Sequence, residues 1–182
     1  MACHLRFKLA FVPLIRLGAN LQVVLKKIEC KRSDLQPVVL PLLRGRVFHV
    51  TEEATFEDIS RSGWIDSKQR PRFISPFGKS ENSYGLKRGW VSLFDLSNTA
   101  NAYTKDALIH YYLRKAFHNK STAICFLFIA ENAWPSLISW QHARQEVERK
   151  EMYIPFVEAW YPGDIPLHLV NDSLVLTVKS RR

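Results

Sequence analysis

The chain has 182 residues, a hydrophobic fraction of 47% and a formal net charge of +9. That length suits one domain with a sizeable core. No run approaches the roughly 18 apolar residues that a membrane-spanning helix needs, and the cysteines, Cys3, Cys30 and Cys125, form no CxxC pair, which leaves a zinc knuckle or redox motif without support. Reduced thiols and a cytoplasmic location are the expectation. A signal peptide is not expected, because Arg16 interrupts the apolar run that follows MACHLRFK and no A-x-A site comes after it. The charge is uneven. Residues 1–45 hold eight Lys and Arg against Glu29 and Asp34, and residues 61–90 hold seven against Asp66 and Glu81. Such patches suit polyanions, or form a solvated basic surface.

In chain order, residues 1–44 read as a basic N-terminal extension packed on a single domain of residues 45–182. Within the extension, Leu21, Val24, Leu25 and Ile28 have the spacing of one helix face. Pro37 and Pro41 are expected to break any helix before Arg44. Residues 46–51 predict a strand. Thr55 predicts the cap of a short helix with Phe56 and Ile59 facing the core and Gly63 as its stop. Residues 66–87 predict a long loop, and residues 90–96 a strand. Thr104 predicts the cap of a helix over 105–117, with Leu108, Tyr111 and Tyr112 on one side. STAICFLFI (121–129) predicts a central strand buried on both faces. A helix follows over 135–149, with Pro135 in its first turn, then a strand over 152–160, a turn at 161–164 and a last strand over 174–178. Helices cluster before residue 118 and strands dominate after it, so the class is α+β.

Three features carry chemistry. In FHVT, His49 and Thr51 point to the same side of a strand. The loop FGKSENSYGLKRG offers Ser80, Asn82, Tyr84 and Arg88 between glycines. Glu158 lies inside the apolar segment YIPFVEAW, where a carboxylate is costly unless it is paired, edge-exposed or used. Taken singly, His49 is also readable as a satisfied core histidine, Glu158 as a salt-bridged residue and Tyr84 as a loop aromatic.

This set, over roughly residues 44–178, resembles the ADP-ribosyltransferase superfamily of the histidine-aromatic-glutamate type. FHVT is similar to its first-strand histidine motif, Tyr84 of SYG to its aromatic, and Glu158 of VEAWYPGDIPL to its late-strand glutamate. The last segment also looks like that of the DNA-modifying toxin branch. Val50 departs from the glycine that follows the histidine in that motif, and Trp90 or Tyr103 are alternatives for the aromatic. The resemblance implies a split β-sheet core with flanking helices and transfer of ADP-ribose from NAD to a macromolecule, without a metal. Glu158 would be the catalytic carboxylate. His49 and Thr51 would hold a ribose, Tyr84 would stack on nicotinamide, and Arg88 or Arg46 would bind the pyrophosphate. The basic charge favours nucleic acid over protein as acceptor.

Two alternatives remain. KRGWVSLF partly resembles the RNA-recognition-motif signature, which implies a non-catalytic RNA- or DNA-binding module. An RNA 2′-phosphotransferase-like enzyme would need basic residues instead of the glutamate. Cys125, in an apolar strand, reads as inert.

Overall fold

In a computed structural model, residues 10–11, 24–68, 82–97, 123–148 and 150–179 are described. The chain is a mixed α+β protein built on a large mixed sheet. In chain order the elements are β1 (Ala10–Phe11), β2 (Val24–Lys31), helical turns from Arg32 to Val39, α1 (Leu40–Leu43), β3 (Val47–Glu52), α2 (Glu53–Ser62) and β4 (Trp64–Ile65). Then come α3 (Tyr84–Lys87), β5 (Trp90–Asp95), β6 (Ile124–Ile129), a 3-10 turn (Glu131–Ser136), β7 (Ile138–Ser139), α4 (Trp140–Glu146), β8 (Glu158–Pro162), β9 (Ile165–Pro166), a 3-10 turn (Leu167–Leu169) and β10 (Val170–Lys179). Eight strands run in the order β1-β2-β10-β6-β3-β5-β8-β7, and β4 pairs with β9 in a separate ribbon. Within the large sheet β2 and β10 are parallel and the other pairs antiparallel.

Alternation sorts the strand side chains onto two faces. On one, Phe48, Phe94, Phe126 and Phe128 cluster with Leu174 and Leu176 beneath Leu35, Val39, Leu40 and Leu43. Phe48 stacks on Phe94 at 5.6 Å and meets Phe126 and Phe128 edge-on. On the other, Val47, Leu93, Cys125, Leu127 and Val175 pack under Phe56 and Ile59 of α2. β6 is buried at every residue, as its unbroken apolar run requires of a strand covered on both faces. The strands at β3 and β5 and the Gly63 stop of α2, in left-handed geometry at φ 79°, match the expectations.

Several local expectations are corrected. Residues 24–31 form a strand, not a helix. Its eight residues pair in parallel with β10, and a short apolar pattern is ambiguous until such an edge is on offer. Residues 24–43 therefore belong to the sheet and one of its cores. Pro37 and Pro41 do not interrupt the winding between Arg32 and Leu43. Each lies in the first turn of its own segment, where the missing N–H has no helical partner. Helix α2 begins before Thr55, which does not cap it. The N–H of Glu53 donates instead to the carbonyl of Ala123 at 3.1 Å, a tertiary cap.

The helix expected from Pro135 starts at Trp140. Ile138 and Ser139 pair with β8, and the Ser139 hydroxyl accepts from the His142 N–H. The strand expected from 152 starts at Glu158. Pro155 has no N–H for a ladder, and Ile154–Glu158 closes a turn in which Phe156 adopts φ 68°. The last strand is longer than expected, starting at Val170. Ser80, Tyr103 and the helix expected over 105–117 lie outside the described residues. Among the described residues no helix is long and apolar enough to cross a membrane.

Candidate functional site

His49 projects from β3, where it pairs with Leu127. Its Nδ1 lies 3.0 Å from the carbonyl oxygen of Ser92. A carbonyl only accepts, so Nδ1 carries the proton, and in the neutral ring Nε2 is left as an acceptor. Burial lowers the imidazole pKa, partly offset by the Ser92 hydrogen bond, which keeps the ring neutral at pH 7. This bond forms where the sheet opens. β3 and β5 pair only at Val47–Asp95 and Phe48–Phe94, and the His49 ring then reaches the Ser92 carbonyl from beyond the end of that ladder. Thr51, on the same side of β3, is buried opposite Cys125.

Glu158 opens β8 opposite Phe94. It is 8% exposed. One carboxylate oxygen accepts from the Ile154 N–H at 2.8 Å, within the turn that precedes the strand. Burial lifts its pKa to about 7 against the lowering effects of Ile154, the Ser92 hydroxyl and the Trp160 indole. Among the described residues no cation pairs with it. Trp160 follows two residues later on the same face, directly opposite Ser92. Its indole Nε1 is buried with no hydrogen-bond partner. The indole favours the ionised carboxylate but closes no hydrogen bond to it.

Cross-strand register separates the two principal residues. Phe48, Phe94 and Glu158 are successive partners across β3, β5 and β8, so they share one face. His49, next to Phe48, belongs to the other. Ser92 joins them: its carbonyl takes His49, and its hydroxyl lies on the Glu158 side.

The remaining expected ligand-binding residues are not gathered here. Tyr84, expected to stack on nicotinamide, is 0% exposed. Its hydroxyl donates to Glu146 Oε2 at 3.0 Å, Arg88 lies over its ring at 3.7 Å, and Trp160 tilts against it at 4.8 Å. No ring face is left for a nucleotide. The cause is the GLKRG helical turn, which swings Tyr84 inward where an open loop was expected. Arg88 donates to Glu151 Oε1 at 2.9 Å and to the Tyr84 carbonyl at 3.0 Å. Burial works against its charge, but the Glu151 bond prevails and raises its pKa. That same bond holds Glu151 below the usual carboxylate range. Arg46 lies 3.5 Å over the Phe128 ring and 3.3 Å from Asp172. Both arginines expected at the pyrophosphate are thus occupied by carboxylates.

Ser92 and Trp160 were missed by the sequence reading. Their signal was period-two alternation: Trp160 shares Glu158's face, and Ser92 is the one hydroxyl in WVSLF. Cys30 and Cys125 are buried free thiols. Burial lifts Cys30 to about 11 and raises Cys125 further, so neither is a nucleophile. Among the described residues no group of three His, Cys, Asp or Glu could hold a metal ion. No protein-family model, no curated protein and no solved structure matches this chain.

Proposed function

We propose that the chain transfers ADP-ribose from NAD to a macromolecular acceptor through Glu158, on a sheet of the split, ADP-ribosyltransferase-like kind. The observation that carries this reading is a nearly buried carboxylate, with no cation beside it among the described residues and a pKa near 7. A glutamine carbonyl would accept the Ile154 N–H equally well, so the turn does not need the charge. A buried charge that packing does not need is a mark of use.

The chemistry is a substitution at the ribose C1′. The bond from C1′ to the nicotinamide nitrogen breaks, and nicotinamide leaves as a neutral molecule with the bonding pair. The acceptor's nucleophile forms the new bond to C1′ and passes its proton to Glu158. Ionised Glu158 also stabilises the oxocarbenium character between these events, as carboxylates do in glycoside cleavage. His49, on the other face of the sheet and tied to the Ser92 carbonyl, takes no part in this step.

The competing readings fare less well. In an RNA-recognition sheet β5 would display its aromatics, but Phe94 is buried on Phe48, and Lys87 and Arg88 are engaged by Glu151. A 2′-phosphotransferase-like site would need free cations, and Arg46 and Arg88 are paired. Nucleic acid is the favoured acceptor on the net charge of +9. The test is labelled NAD incubated with the protein and, separately, DNA, RNA and protein acceptors. Label on one class supports the reading and names the acceptor. No label and no NAD binding, with salt-sensitive binding of nucleic acid, replaces it with the binding module.

A further inference from the structure

Trp160 is the largest fully buried side chain in the described residues, yet its one polar atom is unsatisfied. A buried donor without a partner is destabilising, because it has given up its hydrogen bond to water. The surroundings hold the indole tightly in that pose. A Cβ on Gly85 would overlap Trp160 Cδ1 and stand 2.5 Å from Nε1 and 3.2 Å from the Ser92 hydroxyl oxygen. Only glycine fits there, so α3 lies directly against the indole edge. Tyr84 tilts on the ring at 4.8 Å, and Tyr153 meets it edge-on at 6.4 Å. The turn carrying Tyr84 and Gly85 is itself fixed, through Tyr84 to Glu146, through Arg88 to Glu151 and through the Tyr84 N–H to the Met152 carbonyl.

We infer that Trp160 is a positioning residue for Glu158, its indole N–H being the donor that the ionised carboxylate engages, aimed by the Tyr84–Gly85 turn. One carboxyl oxygen holds the Ile154 N–H, and the indole N–H is left unpartnered. On ionisation the carboxylate gains acceptor capacity, and two donors on its own face, the Ser92 hydroxyl and Trp160 Nε1, are available. The titratable groups on α3 and its C-cap are Tyr84, Lys87 and Arg88, held by Glu146 and Glu151, and Tyr153 meets the indole from the segment before β8. Those on α4 are His142, Arg144 and Glu146, with His142 also bound to Glu146. On β5 the only such side chain is Asp95, which binds Ser97. β7 carries none. The role rests on the proposed reading only for its effect on turnover.

The experiment follows the Trp160 indole 15N–1H resonance through a pH titration of the folded protein, assigned as the indole that persists when Trp64, Trp90, Trp134 and Trp140 are each replaced by Phe. The expected result is a downfield shift with a midpoint near pH 7 that disappears in Glu158→Gln. Trp160→Phe, if folded, should raise the Glu158 midpoint by about one pH unit in carboxyl infrared difference spectra, the scale of one hydrogen bond to a charged group. An indole resonance that does not titrate, or that titrates equally in Glu158→Gln, overturns the inference whether or not Trp160→Phe folds. A Trp160→Phe protein that only melts earlier, with the Glu158 midpoint unmoved, also overturns it. If the resonance behaves as expected while NAD is untouched, the proposed reaction falls and this coupling stands.

Discussion

The two halves of the large sheet use burial differently. Around β6, ladders run five or six pairs to β3 and β10, and every side chain of β6 is apolar and buried. Around β5 and β8 a carboxylate and an indole N–H are buried beside the half-buried Ser92 hydroxyl, and the neighbouring ladder to β3 stops after two pairs. Among the described residues the first half buries only the hydroxyls of Thr51 and Ser173 amid its apolar side chains. The second gives up packing uniformity for polar groups whose satisfaction depends on protonation. A residue's burial therefore does not by itself reveal its role; what matters is whether the buried groups are complete without a ligand or a proton.

The contrast can be broken first on the apolar side. Leu127→Ala removes a fully buried side chain between two ladders. It should cost about 3–4 kcal/mol in denaturant unfolding and leave the Glu158 midpoint unmoved. A shift of that midpoint would show that the halves are coupled.

The polar side should respond to pH. Glu158 binds its proton more tightly folded than unfolded, with pKa values of about 7 and 4.5. The folded state then holds more protons between those values, so its contribution to stability is full below about pH 4.5 and is lost as pH rises through about 7. The loss amounts to about 3 kcal/mol. Relative to the wild type, Glu158→Gln should be flatter over that window and more stable at pH 8. Parallel curves for the two proteins would remove the buried-charge argument.

Gly85→Ala addresses the seam between them. The new methyl overlaps the indole, and overpacking of this kind should cost about 2 kcal/mol. Thermal melts would read it, and an unchanged Tm would mean that α3 can retreat from Trp160.

How far the sequence reaches follows the same division. β6 and the Phe56, Ile59 and Gly63 pattern of α2 were legible, because local periodicity and a stop signal agree with the tertiary outcome. β2 was not, because its helix-like spacing was overridden by pairing with β10, which no local window contains. Glu158 was singled out by its cost in an apolar segment. The inward turn of Tyr84 was not visible, since Gly-rich flanks suggest an open loop and the clamps on Glu146 and Glu151 lie more than sixty residues away. His49 and Glu158 were expected to line one cleft. The face each takes depends on register across β5, which sequence spacing does not encode.

The claim at the centre of this account is that the charge of Glu158 drives cleavage of NAD. Nicotinamide release, followed from pH 5 to pH 9 in the wild type and in Glu158→Gln with acceptor present, tests it directly. Release should rise through a midpoint near pH 7 in the wild type, as the carboxylate ionises, and fall by about a hundredfold or more in Glu158→Gln. Equal release by the two proteins would contradict it.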